Sequence, residues 1–305
     1  MRALKTLKGL WLALVLVSGS AAVASSLPKP IYLPEQDRKI EGERPVRLVI
    51  EQSQIDTSFD LGRVAFAGSG GGLLGALIVA AHDDRRKTMG LAEHDKAEAY
   101  AGPLRSALRD FDANALALSA TKAGLAKSDW FQAQAIATSS DPSSAGDAAF
   151  AAANPSPQIA TIVYRYELSP DFSQIRVLGE ITLTKHDGKN HDADTAPTNL
   201  IFRQRVLSVV QLGTRSYEPR ENVARWSADG GKLAKTALTA AFGQFEQLLP
   251  YALGLSEKSV GDLTAKNHEK AFAAGFYGPL IAKTGDTPGD VLIWSDGLVQ
   301  VHTLP

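Results

Sequence analysis

Ile162-Val-Tyr-Arg-Tyr-Glu-Leu-Ser-Pro-Asp-Phe-Ser-Gln-Ile-Arg-Val-Leu-Gly-Glu-Ile-Thr-Leu183 carries the reading that decides the fold. Ile162, Tyr164, Tyr166 and Leu168 recur at every second position, the period of a strand with one apolar face. After Ser169-Pro-Asp-Phe-Ser173 the same period resumes in Ile175, Val177, Ile181 and Leu183. Pro170 presets a turn dihedral and Asp171 suits the position after it, so the stretch is an antiparallel hairpin.

Working outward, the polar segment 185–198 separates this hairpin from a third run. There Leu200, Phe202, Val206, Val210 and Leu212 alternate with Arg203, Arg205 and Gln211, which completes a meander. At the C-terminus Val291–Trp294 and Leu298–His302 bracket Asp296-Gly297, a strong short hairpin signal. Near the start of the ordered sequence Val46, Leu48 and Ile50 alternate with Arg47, Val49 and Glu51, giving a further strand. Two segments carry helical stripes: Leu104, Leu108, Phe111, Ala115 and Leu118, and Leu233, Ala237, Phe242, Phe245, Leu248 and Leu249. Asp229 is the expected N-cap of the second helix, and Gly254 its expected stop, just beyond Pro250. The expected class is α+β: an antiparallel sheet, meander plus C-terminal hairpin, packed by amphipathic helices.

The chain opens with the pattern of a secretory signal peptide over residues 1–24. Arg2, Lys5 and Lys8 form a basic start, Leu10–Val17 an apolar core, and Ala22-Val-Ala24 a small-x-small cleavage site. The apolar core is shorter than the roughly 20 residues a bilayer-spanning helix needs, and no cysteine is present to take a lipid anchor. A periplasmic, unanchored protein is expected. Without twin arginines the leader implies export of an unfolded chain, which argues against a cofactor loaded in the cytoplasm. Without the leader's three cations, 29 basic residues face 33 acidic ones, so a nucleic-acid partner is not expected. No disulfide can form, and burial must supply the stability. Residues 25–44, with Pro28, Pro30 and Pro34, read as an exposed lead-in, and 45–305 as one α+β domain. The Ala- and Ser-rich stretch 138–157 reads as a flexible internal segment of that domain.

Three stretches invite functional readings. Arg63 to Ala81 contains Gly70, Gly72 and Gly75 in G-x-G-x-x-G spacing, which in a βαβ unit cradles a pyrophosphate. The second parallel strand with its acidic residue is missing from the sequence that follows, and no dinucleotide cofactor is expected. Gly71 and Gly75 instead form a small-xxx-small face within an apolar run from Val64 to Ala81, suited to close packing against a partner or a membrane. Gly70, Gly71, Gly72 and Gly75 are candidate ligand- or partner-binding positions; because clustered glycines make a poor helix, a glycine-rich loop followed by a buried or surface-packed helix is the favoured reading, and membrane contact is not favoured. The loop His186-Asp-Gly-Lys-Asn-His-Asp-Ala-Asp194 gathers divalent-metal ligand types, so His186, Asp187, His191, Asp192 and Asp194 are candidate metal ligands. Their spacing matches neither a helical His pair nor a twelve-residue calcium loop. Ala67-Gly-Ser69-Gly-Gly71 departs from the nucleophile elbow at its first position, and no catalytic residue is assigned.

Gly68–Ile78 before a charged helix, Tyr164–Phe172 opening a meander, and Trp226-Ser-Ala-Asp-Gly-Gly231 leading into a helix together resemble a class of uncharacterised exported proteins of Gram-negative bacteria. Many such proteins carry a lipobox cysteine, which this chain lacks. The resemblance implies a small antiparallel sheet packed by helices and no catalytic residues. The expected role is non-enzymatic binding or assembly in the cell envelope with a protein partner. A divalent-metal-dependent periplasmic hydrolase using the 186–194 loop, and a protein inserting 64–81 into a membrane or an oligomer, are the alternatives.

Overall fold

The computed structural model describes residues 29–57, 91–186, 199–266, 272–273, 278–284 and 291–304. The chain adopts an α+β fold in which a mixed, mostly antiparallel sheet packs its main helices on one face, while the helix Ser144–Ala153 lies against the other through the contacts of Asp147 with Arg47 and Thr161. The strands are β1 (Arg44–Ile50), β2 (Asp56–Thr57), β3 (Ala133–Ser139), β4 (Gln158–Leu168), β5 (Gln174–Lys185), β6 (Leu200–Leu212), β7 (Phe272–Ala273), β8 (Gly278–Thr284), β9 (Val291–Trp294) and β10 (Gly297–Leu304). Their order is β3-β1-β4-β5-β6-β10-β9-β8-β7, with β2 beside β4. The helices are α1 (Glu35–Arg38), α2 (Leu91–Ala107), α3 (Ala113–Leu125), α4 (Ser144–Ala153), α5 (Pro219–Gly243), α6 (Phe245–Gly254) and α7 (Glu257–Lys266).

The expected meander forms as β4-β5-β6, with Tyr164 opposite Gly179 and Gly179 opposite Val206. Asp171 fixes its first turn by accepting from the Ser169 hydroxyl (2.7 Å) and the Ser173 hydroxyl (2.9 Å), while Phe172 takes the left-handed conformation (φ 55°). The C-terminal hairpin forms one residue earlier than expected: Trp294 pairs with Gly297, so Ser295-Asp296 is the turn. Gly297 is needed for a different reason, since a Cβ there would lie 2.9 Å from the Arg205 carbonyl oxygen.

Several expectations need correction. The sheet is not wholly antiparallel: β1 pairs in parallel with both β3 and β4, and β10 pairs in parallel with β6. β1 is buried at every position, as a strand with neighbours on both edges and covered faces must be. The stripe from Leu104 to Leu118 is two helices rather than one, because the Asp112 carboxylate accepts from the Ala115 N–H (2.9 Å) and starts α3 anew. Asp229 is not an N-cap: with Gly230 and Gly231 it forms a left-handed break (φ 51°, 64° and 76°) inside a helical run that begins at Pro219. The lead-in is partly docked, with Ile31 bridging to Arg203 and Leu33 buried. The Ala-rich stretch ends β3 and builds α4, which Ser143 caps through Gly146 N–H (3.1 Å).

One core joins the face of the sheet that bears the main helices to α2, α3, α5 and α6. At its centre the Tyr164 ring meets Phe242 and Phe245 edge-on, at 5.8 and 4.8 Å between centroids. Its buried hydroxyl bonds Thr121 Oγ1 (3.0 Å), and burial holds the phenol in its neutral form far above the usual range. The opposite face is also buried but polar in part. Arg176, wholly buried, donates to Gln174 Oε1 (3.0 and 2.8 Å) and lies 3.9 Å from Glu167.

Candidate functional site

β3 lies at one end of the sheet, and two buried arginines of β1 hold it there. At its start Arg44 donates to Gln158 Oε1 (2.6 Å), to the Trp130 carbonyl (3.1 Å) and to the carbonyls of Ile40 and Gly42. Its guanidinium also lies 5.2 Å from the Trp130 ring centroid. Burial lowers the pKa of Arg44, and the neutral carbonyls satisfy its donors. At the other end Arg47 pairs with Asp147 of α4 (2.5 Å) and donates to the Asp141 carbonyl. Gly146 makes that approach possible, for a Cβ there would sit 2.2 Å from an Arg47 nitrogen. Hydrogen bonds from Ser143, and then the charge of Arg47, hold the Asp141 carboxyl below its ordinary range.

Between these anchors the outer edge of β3 is open among the described residues. Among the described residues β3 pairs only with β1, and Ala133, Gln134, Ala135, Ala137 and Thr138 are exposed. A bulge lies between Ala133 and Ile136, and Ile136 to Ser139 then run in regular register with Val46 to Val49. The Arg44 N–H reaches the Gln132 carbonyl (2.7 Å), so alternation along β1 points Val46 and Leu48 at β3. Their register partners Ile136 and Thr138 therefore turn N–H and C=O outward. Ile136 packs half-buried against the core, and beside it lies a cavity of about 530 Å³ lined by Lys122, Leu125, Asp129, Phe131, Gln134 and Ile136. The pieces are an unpaired main-chain edge free of charge and an adjoining cleft with an apolar floor, which together suit an added strand.

A second surface feature lies at the left-handed break in α5. Arg225, Lys232 and Lys235 surround two adjoining depressions of about 490 and 620 Å³ with Thr214, Thr236 and Thr239. Arg225 is tied to the Thr214 carbonyl.

Gly70, Gly71, Gly72 and Gly75 lie outside the described residues, as do Asp187, His191, Asp192 and Asp194. His186 follows the end of β5, where its backbone N–H donates to the Pro157 carbonyl (3.0 Å). Among the described residues no three His, Cys, Asp or Glu side chains gather to hold a metal, and no helix is long and apolar enough to cross a membrane. Sequence reasoning did not find the β3 edge. Its one trace is Ile136-Ala-Thr-Ser139, a short uncharged run ahead of the Asp-Pro turn, hidden by the alanines around it. No protein-family model, no curated protein and no solved structure matches this chain.

Proposed function

We propose that this chain is a non-enzymatic periplasmic protein that works by binding, joining an extended segment of another envelope protein to the open edge of β3. The observation that carries this reading is the edge itself: Ile136 and Thr138 offer outward main-chain groups along an uncharged strand beside the cleft. Edge strands exposed in this way are usually blunted by charge or proline, and the regular part of β3 has neither. An added strand gains main-chain hydrogen bonds, and an apolar side chain entering the cleft against Leu125, Phe131 and Ile136 gives selectivity. The leader-like start of the sequence supports the compartment, and the protein's mildly acidic balance suits a protein partner better than a nucleic acid.

The test is a photoreactive amino acid placed at Thr138 in cells expressing the full chain, with the same group at exposed Tyr217 as control. A discrete cross-linked partner from position 138, absent from position 217 and lost when Ala137 is replaced by lysine, is the expected result. Equal cross-linking from both positions, or none from 138, refutes the reading.

A further inference from the structure

A small cavity of about 250 Å³ lies between the segment joining β1 to β2, the C-terminal end of α2 and the end of β4. Ser53 and Gln54 form one wall, Arg105 and Arg109 another, Tyr166 a third, and Leu238 of α5 is among its apolar lining. Arg105 is fixed: it donates to the Ile55 carbonyl (2.9 Å) and to both oxygens of Glu98, one at 2.9 Å. That pairing neutralises it and turns it into a rigid wall. Arg109 is exposed and has no ion pair among the described residues, so the surplus positive charge at the mouth is its own. Tyr166 is 5% exposed, its ring packs against Phe242 at 6.1 Å, and its hydroxyl has no hydrogen-bond partner among the described residues. The hydroxyl belongs to the cavity lining, where it is available to donate to a ligand acceptor. Burial also keeps this phenol protonated, hence able to donate.

From these contacts we infer that the cavity binds a small oxyanion group, a carboxylate or a phosphate, between the Arg109 guanidinium and the Tyr166 hydroxyl. The lining is rich in donors and contains no carboxylate of its own; of the acidic groups near Arg105, Glu98 is engaged by its guanidinium and Asp56 acts on it at longer range. The volume suits a headgroup or a molecule of a few heavy atoms. Arg105, locked to Glu98 and Ile55, holds the end of α2 in place so that Arg109 reaches the mouth. The site is separate from the β3 edge and does not depend on it.

Isothermal titration of the purified full chain with inorganic phosphate and, separately, with acetate tests the site. Saturable one-to-one binding of either is the expected result. Phosphate alone assigns a phosphate-bearing ligand, acetate alone a carboxylate-bearing one, and both assign a general oxyanion site. Tyr166→Phe keeps the ring against Phe242 and weakens binding about tenfold, the cost of one hydrogen bond to a charged acceptor. Arg109→Gln abolishes binding, whereas Arg225→Gln, in the depression at the α5 break, leaves it unchanged. Binding of neither anion to the wild-type chain, or wild-type affinity in both Tyr166→Phe and Arg109→Gln, overturns the proposal.

Discussion

Gly179→Ala tests the packing at the centre of the core. An added Cβ at this position would lie 2.6 Å from Phe245 Cε1, 3.2 Å from Phe245 Cζ and 3.2 Å from Tyr164 Cε1. All three belong to rings buried on every side, so none is a flexible end that can swing away. Overpacking of this kind costs about 1–3 kcal/mol. Replacing a strand glycine recovers roughly 0.5–1 kcal/mol of backbone entropy; with a contact as short as 2.6 Å the overpacking falls in the upper half of its range, about 2–3 kcal/mol, which leaves a net loss of about 1–2.5 kcal/mol. Urea unfolding followed by tyrosine and tryptophan fluorescence should show a lower midpoint at constant slope, and the melting temperature should fall by roughly 2–8 °C. The one contact under 3 Å is with the Phe245 ring, so Phe245→Leu should relieve most of the clash and leave the tight contact with Tyr164. The double variant is expected to be more stable than the sum of the single losses predicts, by about 1 kcal/mol or more. Gly179→Ala at or above wild-type stability, or strict additivity with Phe245→Leu, would show that the ring does not occupy this space.

Asn222→Ala removes a wholly buried amide that donates to the Asp171 carbonyl (2.8 Å) and the Ser216 carbonyl (2.9 Å) and accepts from the Ser216 N–H (2.8 Å). The loss should be about 2–4 kcal/mol, because backbone groups are left bare; a urea midpoint within about 0.5 kcal/mol of wild type contradicts it. Tyr164→Phe leaves the Thr121 hydroxyl buried without its partner and should cost about 1–2 kcal/mol, and adding Thr121→Ala should remove part of the coupling in a double-mutant cycle. The Asp141 carboxyl, followed by carbon NMR, should titrate below the ordinary aspartate value of 3.8. A lowered folded-state pKa means that its stabilising effect is present above the unfolded value and is lost as pH falls through the folded one. Ser143→Ala should move the titration upward; an unchanged midpoint in that variant removes Ser143 as the cause.

The β4-β5 hairpin and the C-terminal hairpin were readable because both signals are local, period two on each side of a short turn, although the Asp296-Gly297 signal placed the C-terminal turn one residue late. The parallel ladders were not readable. β1 meets β3 and β4 across roughly a hundred residues of sequence, and nothing in Arg44–Ile50 names a partner, although its near-continuous burial is the mark of an interior strand. The stripe of α2 and α3 misled because the apolar spacing survives across the Leu108–Asp112 turn. The cap at Asp112 that breaks it is one residue among several equally good caps. The Ala-rich stretch hid both an edge strand and α4, since alanine carries neither period. The oxyanion cavity draws Ser53 and Gln54, Arg105 and Arg109, and Tyr166 from three segments more than fifty residues apart, so no motif of fixed spacing could announce it.

Phe245 also explains why the β3 edge can be open without loosening the fold. Two glycines are shaped around this part of α6: Gly179 of β5 makes room for the ring, and Gly124 of α3 makes room for the Phe245 carbonyl oxygen, which a Cβ would approach to 2.8 Å. The C-terminal end of α3 is thereby fixed from inside the core, next to Leu249. The turn that follows, closed by the Phe131 N–H on the Ser128 carbonyl (2.8 Å), leads directly into β3. The strand and its cleft thus take their position from α3 and from Arg44 and Arg47 on the inner side, not from contacts on the outer side. Substitutions confined to the outer side should therefore alter binding while leaving stability within about 0.5 kcal/mol of wild type, as expected of exposed positions away from caps, cavities and networks. Thr138→Pro is the sharpest case, since it removes a donor that points outward and spares the ladder with β1. A large loss of stability in Thr138→Pro would mean that the Thr138 N–H is used within the fold, and the binding edge would have to be assigned elsewhere.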